Sequence, residues 1–80
     1  MVFIVEDLED FMQCARFARY ILYRKIDYGS HVELRVKAGK IAWTGTFKQN
    51  DDALKKLLNE LEALGAVEVA DVKPDEVFMA

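Results

Sequence analysis

The hydrophobic positions follow an ordered series of periods along the chain: a short apolar run, a helical stripe, two alternating runs around a turn, a second helical stripe and a last alternating run. A period near 3.6 residues is typical of an amphipathic helix, and strict alternation is typical of a half-buried strand. The order predicts β-α-β-β-α-β within 80 residues. This length allows one domain, which we place at residues 1–74, followed by an apolar C-terminal tail at residues 75–80.

The first strand and the first helix are predicted from an apolar run that meets a group of acids. Val2 to Val5 is apolar and rich in β-branched residues, which predicts a short strand with two buried faces. Acidic residues follow in what would be the first turn of a helix, and Arg24 and Lys25 would lie in its last turn. A helix dipole favours this order of charges. We therefore predict helix one over residues 7–25. Its core stripe would comprise Leu8, Phe11, Met12, Ala15, Ala18, Leu22 and Ile26.

A β-hairpin is predicted from the two alternating runs in the middle of the chain. Ala38-Gly39 between them predicts a two-residue turn, which would pair Val36 with Ile41. This register places the large apolar residues of both strands on one face, and a slip of one residue would expose half of them. The residues on that face are Val32, Leu34, Val36, Ile41, Trp43 and Phe47.

The second helix and the last strand follow from capping residues and from spacing. Asn50 or Asp51 is a favourable N-cap and Gly65 a favourable C-terminal stop. The apolar stripe between them comprises Leu54, Leu57, Leu58, Leu61 and Leu64. Residues 66–72 alternate again, with Val67 and Val69 expected to point inward.

These elements predict an α+β fold of the ferredoxin-like kind, with two helices on one face of a four-stranded antiparallel sheet. The alternative is an α-β-β-α-β chain in which residues 2–5 form no true strand. A fold of this kind hosts many activities, so function has to be inferred from the residues of a site.

Catalytic, metal-binding and cofactor-binding signatures are not apparent in the sequence. One cysteine, Cys14, cannot hold an iron-sulfur cluster or form an internal disulfide. Ser30 and His31 are neighbours, but neighbouring strand residues point to opposite faces, and a zinc site with Asp27 would lack further ligands. We therefore expect no enzyme and no cofactor. The single cysteine and the lack of a basic leader or a long apolar run favour a cytoplasmic protein that does not enter membranes.

Surplus apolar surface is one of two functional hints. Helix one would carry a second stripe, displaced by roughly 130° from its core stripe, and the centre of the open sheet face would be uncharged, with Val2, Ile4, Ala42 and Ala70. Such surface is usually covered, either by the tail folding back or by another chain. We expect a homodimer or a complex with another protein. The predicted interface residues are Cys14, Phe17, Ile21, Val77, Phe78 and Met79.

Uneven charge is the second hint. The chain has a net charge of −3 and a pI near 5.0, yet its bases concentrate between Arg16 and Lys48, between two acidic ends. This band of basic residues suggests contacts to the phosphates and nucleobases of a nucleic acid, although the acidic pI argues against a dedicated phosphate binder. The candidate nucleic-acid contacts are Arg16, Arg19, Tyr20, Arg24, Arg35 and Lys37. We therefore expect a small non-enzymatic protein-interaction or regulatory module, with a nucleic-acid-binding regulator as the alternative.

Overall fold

The computed structural model of the protein describes residues 2–69. Within them the chain forms five strands and two helices, whose bounds are β1 Phe3–Ile4, α1 Leu8–Ala15, β2 Ile21–Asp27, β3 His31–Ala38, β4 Ile41–Lys48, α2 Asp52–Ala63 and β5 Val67–Glu68. The strands form one sheet in the order β1-β4-β3-β2-β5. β2, β3 and β4 are antiparallel neighbours, whereas β1 runs parallel to β4 and β5 parallel to β2.

The predicted ferredoxin-like, four-stranded antiparallel sheet is therefore wrong, because the sheet is mixed and has five strands. The error arises in the predicted first helix. Asp7 caps α1 by accepting from the amides of Glu9 and Asp10, but the helix ends at Ala15. The second half of the predicted helix is β2, which pairs along its whole length with β3. The α+β class itself holds.

β2 alternates between the two sides of the sheet. Ile21 and Tyr23 are buried, whereas Leu22, Arg24 and Ile26 point to the opposite side and are half-buried. This pattern fits a strand, in which successive side chains leave opposite faces. The second apolar stripe predicted on helix one does not exist, because Ile21 lies in this strand and not on a helix.

The hairpin prediction has the right faces and a register that is wrong by two residues. Gly39, with φ of 61°, lies in the turn with Lys40, so Ala38 pairs with Ile41 and Val36 with Trp43. Glycine adopts a positive φ without strain, which explains this turn position. A shift of two residues leaves every side chain on its predicted face.

α2 agrees with its prediction. Asp51 is the N-cap and accepts from the amide of Ala53, while Gly65 follows the helix with φ of 88°. Of its predicted stripe, Leu54, Leu57 and Leu61 are buried. β1 is present but lies at an edge with both of its residues exposed, in contrast to the predicted buried strand. Val67 points outward and is 58% exposed, so its predicted inward orientation is also wrong.

Both helices pack on one side of the sheet, which we call the covered face. Its core joins Phe11 and Ala15 of α1, the buried leucines of α2 and the inward residues of the strands. Trp43 belongs to this core, and its indole N–H donates to the carbonyl oxygen of Glu6 at 3.1 Å. The opposite side of the sheet, which we call the open face, is not covered by any helix or strand of residues 2–69.

Candidate functional site

The centre of the open face is formed by β3 and is charged. Because Val32, Leu34 and Val36 point to the covered face, the intervening residues of this strand point to the open face. These residues are His31, Glu33, Arg35 and Lys37. The predicted uncharged centre is therefore wrong: the additional strand β2 moves the middle of the sheet to β3, and Ile4 with Ala42 lies toward the β1 edge. Ala70 lies outside the described residues.

Two arginines lie directly opposite each other at this centre. Arg24 of β2 and Arg35 of β3 are cross-strand partners. Lys37 lies two residues further along β3 on the same face, where its partners are Leu22 and Ala42. We call Arg24, Arg35 and Lys37 the cationic centre. The three residues are half-buried.

The cationic centre brings like charges together on neighbouring strands. Directly opposed like charges destabilise an antiparallel pair, because their β-carbons lie only about 5 Å apart. Arg35 forms an ion pair with Glu33 on the same strand, and both side chains are partly exposed. Glu33 thus supplies a counter-charge to Arg35.

Aromatic side chains lie at both ends of the open face. At one end, the ring of Tyr28 stacks on the imidazole of His31, with centroids 4.9 Å apart and planes inclined by 24°. At the other end, Tyr20 precedes β2 and its hydroxyl donates to the carbonyl oxygen of Gly39 at 3.4 Å. Tyr28 is 51% exposed and Tyr20 47% exposed. The face therefore combines a cationic middle with accessible aromatic ends.

The turn that carries Tyr28 is held by a hydrogen-bond network. Asp27 accepts from the Gly29 amide at 2.7 Å and from the Gln49 side-chain amide at 2.7 Å. Gln49 also donates to the carbonyl oxygen of Gly29 at 3.2 Å. The Gly29 hydrogen bond, followed by that of Gln49, holds the pKa of Asp27 below its ordinary value. The network fixes the turn between β2 and β3 and so positions Tyr28 beside His31.

Charge is segregated between the two sides of the molecule. The open face carries Arg24, Arg35, Lys37, Lys48 and Glu33, a net charge of +3. With their N-cap and C-cap residues included, α1 and α2 each have a net charge of −2. Both helices, which lie behind the sheet, therefore have a net negative charge.

The remaining candidate residues are dispersed. Arg16 lines a shallow depression between the helices with Glu9 and Glu60, so it lies in the helix layer and not on the open face. Arg19 is exposed in the connection between α1 and β2. Of the six predicted nucleic-acid contacts, the structure brings together Arg24, Arg35 and Lys37. It places Tyr20 at one end of the open face.

The predicted apolar interface residues also separate. Ile21 is 3% exposed in the core, whereas Cys14 is exposed and Phe17 is 90% exposed just beyond α1. The interface predictions for Val77, Phe78 and Met79 lie outside the described residues. Among the predicted interface residues that the structure describes, Phe17 is the large apolar residue that is exposed to solvent.

Ser30 and His31 lie closer together than their expected strand positions imply. Ser30 belongs to the turn and not to the strand, and its Oγ lies 2.8 Å from Nδ1 of His31. The nearby carboxylate of Asp27 is hydrogen-bonded to Gly29 and Gln49. A serine nucleophile with a histidine base needs a third group that orients the base, and Asp27 does not supply it.

A cleft of about 210 Å³ opens on the covered side near the start of α2. Val32, Leu54 and Leu58 contribute apolar walls. Lys25, Lys55, Asp27 and Asp51 also line it, so positive and negative groups are balanced. Among residues 2–69, no cluster of three or more histidine, cysteine or acidic side chains is arranged for a metal ion. Within the same residues, neither helix is long and apolar enough to cross a membrane.

Sequence reasoning missed the position of Arg24 and the role of Tyr28. The signal for the first was the β-branched and aromatic character of Ile21, Tyr23 and Ile26, which is typical of strands. The stacking of Tyr28 on His31 depends on turn geometry, which the sequence pattern does not specify. No protein-family model matches the chain, and no curated protein is detectably similar to it in sequence. Function is therefore inferred from the chemistry of the open face.

Proposed function

We propose that this protein is a non-enzymatic nucleic-acid-binding module whose binding surface is the open face of its sheet. The observation that carries the proposal is the pairing of β2 with β3, which places Arg24 directly opposite Arg35 on the side of the sheet away from the helices. Guanidinium groups bind phosphate oxygens through paired hydrogen bonds, so two adjacent arginines suit a phosphodiester chain.

The acidic pI does not oppose this proposal, because Arg24, Arg35 and Lys37 lie on the side of the sheet away from the two helices, each of which has a net negative charge. A helix is about 10 Å in diameter, and charges separated by about 8 to 10 Å are largely screened at physiological ionic strength. A polyanion that approaches the open face would encounter these basic residues on the side of the sheet away from α1 and α2. The local field, and not the net charge of the chain, governs such an encounter.

Salt-dependent binding of a dye-labelled twelve-nucleotide oligouridylate is the test, with anisotropy as the readout at 50 and 200 mM salt. The double variant Arg24→Gln/Arg35→Gln should weaken binding about tenfold at 50 mM salt and flatten the salt dependence, because phosphate contacts release counterions. The matched control is Lys55→Gln/Lys56→Gln on α2, which removes the same charge from the helix layer. The control should bind as the unaltered protein does.

Equal weakening by both double variants would contradict the proposal, because it would assign binding to net charge. Absence of oligonucleotide binding at 50 mM salt would also overturn it. Binding of labelled polyglutamate without binding of oligonucleotide would replace nucleic acid with an acidic protein as the partner.

A second candidate function is association with another chain, either a copy of this protein or a different protein. One observation favours it: Phe17 is 90% exposed. Exposed aromatic rings on small domains are common anchors of protein interfaces. Phe17 lies beyond α1, in a segment distinct from the strands that carry the cationic centre, so the two functions are separable by mutation.

A further inference from the structure

We propose that the cleft near the start of α2 binds a small zwitterion, namely a free α-amino acid with an aliphatic side chain. The cleft has a volume of about 210 Å³ and opens on the covered side of the molecule, away from the proposed nucleic-acid surface. This is the space of about seven water molecules at about 30 Å³ each, which suits a ligand of fewer than about ten non-hydrogen atoms. Ligand binding here would be independent of the proposed function.

Apolar side chains supply part of the wall of the cleft and would hold the side chain of the ligand. Val32 and Leu54 are each 7% exposed, and Leu58 is half-buried against the same core. They belong to β3 and α2, so this part of the cleft is formed before any ligand binds. Burial of each methylene group of a ligand against such a wall strengthens binding about threefold to fourfold.

Charged side chains of both signs line the same cleft. Lys25 and Asp27 belong to β2, whereas Asp51 is the N-cap of α2 and Lys55 lies in its first turn. A ligand with a single charge would be attracted by one pair of these groups and repelled by the other. A zwitterion offers a carboxylate to the lysines and an ammonium group to the aspartates, so it matches both signs.

Both carboxylates keep an oxygen atom for a ligand. Asp27 accepts from the Gly29 amide and from the Gln49 side chain through Oδ1. Asp51 accepts from the Ala53 amide, also through Oδ1. The structural hydrogen bonds thus use one oxygen of each carboxylate, and an ammonium group can donate to Oδ2. These bonds also hold the two side chains in place, so little conformational freedom is lost on binding.

The experiment compares ligands that differ by one group, using nuclear magnetic resonance spectra of the unaltered protein. Norleucine should shift the methyl resonances of Leu58 and the amide resonance of Asn50, both of which line the cleft, with a dissociation constant of about 1 mM or less. Hexanoate lacks the ammonium group and pentylamine lacks the carboxylate, so each should bind at least about tenfold more weakly. Alanine keeps both charges but lacks most of the side chain, and it should bind at least about twentyfold more weakly.

Two pairs of variants separate the groups of the cleft from the net charge of the protein. Lys55→Met should weaken norleucine binding about tenfold, whereas Lys56→Met, on the same helix but outside the cleft, should leave it unchanged. Asp51→Asn keeps the N-cap, because asparagine caps helices as well as aspartate does, and should also weaken binding about tenfold. Its control is Asp52→Asn, which removes the same charge next to the cleft.

Absence of norleucine binding at about 10 mM would overturn the proposal. Hexanoate or pentylamine binding as tightly as norleucine, or equal effects of Lys55→Met and Lys56→Met, would also overturn it. The ligand series uses the unaltered protein, so it remains decisive if a variant folds poorly. Oligonucleotide binding by the open face is measured separately, and its failure would leave the cleft proposal standing.

Discussion

The covered face and the open face belong to the same strands but differ in what each side chain contributes. Leu34 and Arg35 are neighbours on β3: the first is fully buried beneath the helices, and the second is half-buried on the open side beside Arg24. Burial of apolar side chains stabilises the covered face, whereas directly opposed like charges do not stabilise the pairing of strands on the open face. The comparison indicates that the covered face maintains the fold and that the open face contributes less to its stability.

Leu34→Ala and Arg35→Ala form the sharpest test of this comparison. Leu34→Ala should lower the free energy of unfolding by about 2 to 5 kcal/mol, because it leaves a cavity in the core. Arg35→Ala should change it by only about 0.5 kcal/mol, since a partly exposed ion pair contributes little. Urea denaturation measures both. Comparable losses in the two variants would show that the open face is also structural.

Gly45→Ala should produce the next largest effect. A β-carbon at Gly45 would overlap the indole ring of Trp43, which lies over this position on the covered face. The indole is packed in the core, so we expect a loss of about 1 to 3 kcal/mol in the free energy of unfolding. Thr44→Ala, on the exposed open side of the same strand, is the control and should be nearly neutral. A neutral Gly45→Ala would mean that the indole relocates without cost.

Phe17→Asp should leave the fold unchanged and affect association. Because the side chain is 90% exposed, we expect a change of about 0.5 kcal/mol or less in the free energy of unfolding. If the chain associates through Phe17, light scattering should give a larger mass for the unaltered protein than for this variant at equal concentration. Equal masses would exclude Phe17 as an anchor of self-association. An unfolded variant would contradict its exposed position.

The smallest expected effect concerns pH and the turn that carries Tyr28. The pKa of Asp27 lies below its ordinary value of 3.8, because the carboxylate accepts from Gly29 and Gln49. A lowered carboxyl pKa contributes stability that is present above 3.8 and is lost as the pH falls through the lower, folded value. The amide resonance of Gly29 should therefore titrate with a midpoint below 3.8. Asp27→Asn removes the charge and should abolish this titration, and a midpoint at or above 3.8 would contradict the network.

The sequence predicts much of the covered face and little of the candidate site. The faces of the hairpin and the extent of α2 follow from alternation, from leucine spacing and from the Asp51 cap, all of which are local signals. β2 was not predicted, because Leu22 and Ile26 also fit a helical stripe and apolar residues occur on both of its faces. Its pairing with β3 is a tertiary contact that overrides local preference.

The cationic centre could not be predicted for the same reason. On a helix, Arg24 would have had no defined relation to Arg35 or Lys37, and only the pairing of β2 with β3 brings these residues together. Arg16 and Arg19 carry the same charge and stand close to Arg24 in sequence, yet neither lies on a strand. The number of basic residues between Arg16 and Lys48 is a property of the sequence. Which of them lie on one face depends on the register of the strands.

The burial of Trp43 has a practical consequence for measurements on this protein. It is the single tryptophan of the chain, and its indole is packed on the covered face with its N–H bound to Glu6. Intrinsic tryptophan emission should therefore change when the chain unfolds and stay constant when a ligand occupies the other side of the sheet. Tryptophan emission should therefore report unfolding without responding to a ligand on the open face. A variant that fails to bind can then be distinguished from one that fails to fold.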